Sequence, residues 1–89
     1  MSRDATLYVD DMIEACRRVM QYTEGLSRTQ LVSGTMAHDA VLRNLEVLGE
    51  AAKNVPSAMR QMATGSRGSV VVEEVPACLP QLISLRSRL

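Results

Sequence analysis

The sequence predicts an all-α fold, a small up-and-down helical bundle of two long antiparallel helices followed by short C-terminal helices. Three observations carry that prediction. Met, Leu, Val and Ala supply nearly all the apolar mass, with no Phe or Trp and only two Tyr, whereas a half-buried sheet would use more aromatic side chains. Two long stretches repeat their apolar residues at spacings of three and four, the helical period. The one β-branched run, VVVEEVPACLP, holds two prolines and has no partner strand. At 89 residues, positions 1–89 make a single domain. A chain of this size buries only roughly 60–65% of its unfolded surface, so its stability is modest and often helped by oligomerisation.

The first helix is predicted from Asp4 to Glu24, with Val9, Met12, Ile13, Cys16, Val19, Met20 and Thr23 on its apolar stripe. Asp4 is its expected N-cap, and Asp10, Asp11 and Glu14 sit in the half where the helix dipole favours negative charge. Gly25 is the expected terminator, able to take the left-handed conformation after the last turn. Tyr8 and Tyr22 fall about 40° apart around the axis and read as half-buried rings with wet hydroxyls. In the connector LSRTQLVSGT, Ser27 is expected to cap a short turn carrying Leu31 and Val32, and Ser33-Gly34-Thr35 breaks the chain again.

The second helix is predicted from Met36 to Asn54 and is stopped by Pro56, because the residue before a proline is pushed out of helical angles. Asp39, Arg43, Glu46, Glu50 and Lys53 lie within about 80° of one another on its wheel, a narrow charged seam. Val41, Leu45, Leu48, Ala52 and Val55 cluster opposite. An Asp39–Arg43 pair at i,i+4 is expected along the seam. A second apolar flank of Ala40, Val47 and Ala51 implies contact on two sides, as in a bundle or a dimer. Asn44 stands between the two apolar sectors, where an unbonded amide costs about 1–3 kcal/mol. Gly49, about 1 kcal/mol poorer than Ala in a helix, flanks the seam where a small residue lets another backbone approach. His38, the only histidine, is about 140° from Arg43 and reads as a partly exposed residue near the helix start. Beyond Pro56, SAMRQMA reads as two helical turns with Met59 and Met62 inward, TGSRGS as a loop, and QLISLRSRL as a short helix with Leu82, Leu85 and Leu89 on one side.

Ten basic and ten acidic residues balance, so the chain has no overall pull on nucleic acid or membrane. Residues 1–56 carry six basic and eight acidic groups and residues 57–89 four and two, too small an asymmetry for a nucleic-acid signature. Cys16 and Cys78 have no second Cys or His at metal-ligand spacing, so no metal site is expected. No stretch reaches the roughly 18 apolar residues of a membrane span, and MSRDATLYVDD lacks a signal peptide's apolar core. A cytoplasmic location is expected.

Two stretches carry a family resemblance. LYVDDMIEACRRVMQYTEGLS and DAVLRNLEVLGEAAKNVP are similar to the N-terminal half of HepT-like proteins of the HEPN superfamily. Those proteins open on Y-L-x-D-I-x-x-A-x-x-x-I-x-x-Y-T-x-G and continue with D-A-V-x-R-N-L-x-x-I-G-E-A-A-K. The match is continuous over residues 7–56 and weak over 70–89. The resemblance implies a helical bundle that dimerises and pairs with a small nucleotidyltransferase as a toxin–antitoxin couple. In that couple the HEPN member is a metal-independent ribonuclease and the nucleotidyltransferase is its antitoxin. The family's cleavage motif is R-x(4–6)-H, usually R-N-x-x-x-H-x-Y, on a later helix and paired across the dimer. Arginine there holds a phosphate and stabilises added negative charge as the 2′-hydroxyl attacks, while histidine moves protons near neutral pH. The tyrosine is where the antitoxin attaches nucleotide in some members.

The chain departs from the family at that motif. No histidine follows His38 and no tyrosine follows Tyr22. SAMRQMATGSRGS stands where the motif is expected, and Arg60 and Arg67 each lack the histidine. Arg43-Asn44 spells R-N, but Leu48 and Gly49 occupy the histidine distance. One account is an internal loss of roughly one helix; the other is a frameshift, with residues after about Pro56 foreign to the family. No catalytic residue, cofactor or metal is expected. Arg43, Asn44 and Glu50 match the family's polar pattern and are the candidates for lining an RNA groove or supporting it. The expected partners are a second copy, a nucleotidyltransferase antitoxin, and RNA. The function expected is a HepT-like toxin–antitoxin component without cleavage activity. The alternatives are a non-enzymatic binding or dimerisation module, which would associate with a nucleotidyltransferase or a full-length relative, and a partly folded fragment.

Overall fold

Asp4 starts the first helix as its sequence position predicts. In the computed structural model, which describes residues 4–27, 29–32, 34–56, 61 and 71–89, its carboxylate accepts the Thr6 backbone N–H at 2.9 Å. Those bonds to Thr6 hold the Asp4 carboxyl below its ordinary range, as expected for a carboxylate satisfying orphan amides at a helix start. Helix α1 runs Ala5–Thr23. Gly25, at φ 75°, turns the chain out of it, a conformation that costs a residue with a Cβ. The next turn closes through Gln30 and Leu31 N–H groups donating to the Ser27 carbonyl. Ser27's own N–H donates to Gln30 Oε1 at 2.8 Å, and its hydroxyl meets Thr29 rather than a backbone amide. Leu31 packs against the core, whereas Val32 is exposed.

Helix α2 runs Met36–Ala52. Its cap is Thr35, whose hydroxyl accepts the His38 N–H at 3.1 Å and donates to the Val32 carbonyl at 2.7 Å. The last turn tightens: Asn54 and Val55 N–H groups reach back three residues to Ala51 and Ala52, the usual way of closing a helix end. The chain then meets Pro56.

The C-terminal region corrects the sequence reading. A 3₁₀ turn at Val72–Glu74 leads directly into helix α3, Val75–Arg88, which begins well before the predicted QLISLRSRL. Pro76 lies in the first turn, where no intrahelical N–H donor is required. Pro80 lies inside, one turn on, and both prolines are exposed. The buried face of α3 is Val75, Cys78, Leu82 and Leu85; Leu89, predicted on it, is exposed. Met59, Met62, Arg60, Arg67 and the TGSRGS loop lie outside the described residues.

Helix α1 is the centre of the bundle. Val9, Met12, Ile13, Ala15, Cys16 and Val19 form one core with Val41, Leu48, Ala51, Ala52 and Val55 of the α2 segment and the four α3 residues. Tyr8 and Asp11 lie beside Glu50 and Asn54, whereas Thr23 lies beside His38, so α1 and α2 are antiparallel. Asp10 pairs with Arg86 while Thr23 shares a cavity with Val72 and Pro76, so α3 is antiparallel to α1 and parallel to α2. All regular structure among the described residues is helical, and no described helix is long and apolar enough to cross a membrane.

Candidate functional site

The charged seam of α2 forms one wall of an open groove of about 410 Å³, with the start of α1 as the other. Arg43, Glu46, Val47, Glu50, Ala51 and Asn54 come from the α2 side, Tyr8 and Asp11 from α1. Two of the three candidates, Arg43 and Glu50, therefore share a surface. Asn44 does not line it. At 6% exposure it is the one buried polar residue among those described, and its Nδ2 donates to the Ala40 carbonyl at 2.8 Å within the helix. That bond satisfies the amide the sequence placed between two apolar sectors.

The expected Asp39–Arg43 pair is absent. Asp39 instead lies 3.5 Å from His38 Nδ1, and Glu50 pairs with Lys53 at 3.3 Å. Arg43 makes no hydrogen bond or ion pair with another described residue. Its side chain is exposed, and a guanidinium in water gains little from an exposed carboxylate. Gly49 has open space where a Cβ would stand, so no described element requires its smallness. Val47, on the predicted second apolar flank, is 41% exposed, whereas Ala51 beside it is buried.

Among the described residues the groove holds three carboxylates, Asp11, Glu46 and Glu50, against one guanidinium. Phosphate is repelled by that balance, since nucleic-acid surfaces are recognised by their excess of Lys and Arg. The carboxylates do not converge on a point either: among the described residues no three His, Cys, Asp or Glu side chains are placed to share a metal ion.

His38 faces a different space, an apolar groove of about 660 Å³ lined by Leu26, Leu31, Leu45, Val72 and Pro76. Its Nδ1 is enclosed and has no hydrogen-bonded partner among the described residues; the Asp39 carboxylate is near it but off the bonding direction. Arg43 and the only histidine thus open onto separate surfaces, as their spacing predicts. Cys16 and Cys78 are buried thiols on facing helices, with no disulfide between them. Burial pushes the Cys16 thiol up to about 12, with Cys78 adding to the shift, and burial also raises Cys78.

Comparison with known proteins decides the family. The model of the family described as ribonuclease HepT-like matches residues 12–89, through α1, α2 and α3. The chain belongs to the HepT-like ribonuclease family. Among curated proteins, a probable ribonuclease HepT of Thermococcus cleftensis is 29% identical over 62 residues, 70% of this chain and 56% of that protein. A candidate RNase of Methanocaldococcus jannaschii is 27% identical over 59 residues, covering 66% and 54%. Another protein of that organism, named as a gamma-glutamylcyclotransferase and candidate RNase, is 30% identical over 61 residues, 68% of this chain and 28% of its own length. The chain thus spans about half, or less, of the curated relatives it matches. No solved structure matches.

Proposed function

We propose that this HepT-like chain is a component of a toxin–antitoxin pair that binds protein and does not cleave RNA. It forms a homodimer and associates with a nucleotidyltransferase antitoxin. The observation that carries the reading is the separation of Arg43 from His38: the chain's only histidine opens onto an apolar groove on another surface. Cleavage of the family's kind needs a guanidinium on the phosphate and an imidazole within hydrogen-bond reach of the moving proton. No R-x(4–6)-H spacing occurs anywhere in the 89 residues. The acidic balance of the Arg43 groove supports a protein ligand over RNA, and the continuation of the family match to residue 89 supports an internal loss over a foreign C-terminal segment.

The test is twofold. The purified chain is incubated with structured and single-stranded RNA in the presence of a chelator, and no cleavage is expected. It is also co-expressed with a nucleotidyltransferase from the same genome, and co-elution as a complex is expected. Chelator-resistant cleavage abolished by Arg43→Ala would refute the non-cleaving reading; failure to co-elute with any such partner would refute the toxin–antitoxin role.

A further inference from the structure

The α2 seam is complementary to itself when reversed. Along the helix it reads Asp39, Arg43, Glu46, Glu50, Lys53, with Glu46 midway between Asp39 and Lys53 and beside the midpoint of Arg43 and Glu50. We propose that two copies of this chain pair through antiparallel α2 helices about a twofold axis beside Glu46. Asp39 of one copy then faces Lys53 of the other, and Arg43 faces Glu50. The inference rests on the homodimer reading above and adds the face, the direction and the register.

Several features of the free chain fit this occupant. The five seam residues are exposed on the outside of the bundle, and Leu42 and Val47, 48% and 41% exposed, flank the charges on either side. Two packed helices approach to about 8–10 Å, which brings Leu42 and Val47 of each copy against the other helix and removes apolar surface from water. Gly49 has open space at its Cβ position, so a neighbouring backbone can come close beside Arg43 and Glu50. Arg43 has no partner among the described residues, and among them Lys53 and Glu50 hold each other through an exposed pair at 3.3 Å. The twofold produces four opposite-charge contacts and one like-charge meeting, Glu46 with its own copy. A parallel pairing in register would instead set each charge against itself. The charges therefore select direction and register, while the flanking apolar side chains supply affinity.

The test uses the full chain and two exposed single reversals, Arg43→Glu and Glu50→Arg, each checked by circular dichroism for unchanged helix content. Sedimentation velocity is run on each alone and on an equimolar mixture. The wild type is expected to be dimeric. Each reversal converts two attractive contacts per dimer into repulsive ones and weakens self-association about tenfold to a hundredfold. Mixed, the two variants restore both contacts between positions 43 and 50, one in the wild-type sense and one reversed, so a heterodimer of near wild-type affinity is expected, identified by mass. A wild type that stays monomeric at all accessible concentrations overturns both this proposal and the homodimer reading. A dimeric wild type whose single reversals associate normally overturns the α2 face and leaves the homodimer reading standing. Weakened single variants whose mixture forms no heterodimer overturn the antiparallel register.

Discussion

Replacement of Leu82 by Ala tests whether the C-terminal helix is part of one core. Leu82 is fully buried at the centre of the α3 face, between Cys78 and Leu85 and against α1. Truncating a buried leucine removes its transfer free energy and leaves a cavity, together about 3–5 kcal/mol in a rigid site. Among the described elements helix α3 packs mainly on one neighbour, α1, so it can settle inward and the lower figure applies, about 3 kcal/mol. A domain of this length has a net stability of about 4–13 kcal/mol, so the variant loses a large share of it. For a domain of this size that loss lowers Tm by about 12–24 °C. Urea unfolding by far-ultraviolet circular dichroism measures it at one fixed protein concentration, because self-association adds to apparent stability. Ile83→Ala, at a half-exposed neighbour on the same helix, is the control, expected within about 0.5 kcal/mol of wild type. A Leu82→Ala loss under about 1 kcal/mol, no larger than that of a surface position, would refute the single core and make α3 an appendage to an α1–α2 hairpin.

Three further outcomes follow from the same geometry. The Cys16 thiol, raised from 9.0 to about 12 by burial, favours its neutral form in the folded chain; its contribution is complete below pH 9 and is lost as pH rises towards 12. Stability should therefore fall over that window by up to about 1.4 kcal/mol per pH unit, and Cys16→Ala should flatten the slope in pH-dependent urea melts. Asp10→Asn breaks the 2.6 Å bond from Arg86 that ties α1 to α3, but both side chains are nearly half exposed. Its cost should be under about 1 kcal/mol and shrink in high salt, as thermal melts at two ionic strengths will read. Glu46→Gln removes the like-charge meeting on the proposed twofold and should tighten self-association in sedimentation equilibrium; weaker association would count against the axis.

The long helices were legible because their local signals and core pattern agree. Asp4, Gly25 and Pro56 punctuate the chain where capping and turn chemistry require, and the α2 stripe of Val41, Leu48, Ala52 and Val55 is buried as its period predicts. Ser33-Gly34-Thr35 reads as a break, though a hydroxyl before Met36 is itself a start signal. The start of helix α3 is hidden in the sequence for a definite reason: the β-branched run and two prolines of VVVEEVPACLP argue against a strand without announcing a helix. Pro at the first turn is permitted, and Pro80 is exposed on the side of the helix away from Val75, Cys78 and Leu82. The Asp39–Arg43 pair failed because spacing says which side chains can meet, whereas exposure decides whether meeting is worthwhile. Asn44 could be recognised from sequence as a polar residue needing a partner, but the partner, its own helix's Ala40 carbonyl, depends on rotamer choice.

The electrostatics of the seam bear on what remains of the family's apparatus in this chain. Its two cations, Arg43 and Lys53, are outnumbered by Asp39, Glu46 and Glu50, and α1 adds Asp11 to the groove. A surface built to hold a polyanion gathers cations with few carboxylates between them, because each added carboxylate cancels part of the counterion release that drives binding. A surface built to recognise protein alternates the two signs, so that only one partner and one register satisfy them all. The seam follows the second pattern, and the sequence lacks the histidine that would turn an arginine on a phosphate into a cleaving site. Under the proposed reading, the segment resembling the family over residues 7–56 is its protein-recognition half, which does not require the cleavage motif to be present. Arg43→Glu should therefore alter assembly, leaving RNA affinity unchanged or slightly lower in a gel-shift titration at moderate salt. A large loss of RNA binding with assembly intact would refute that division.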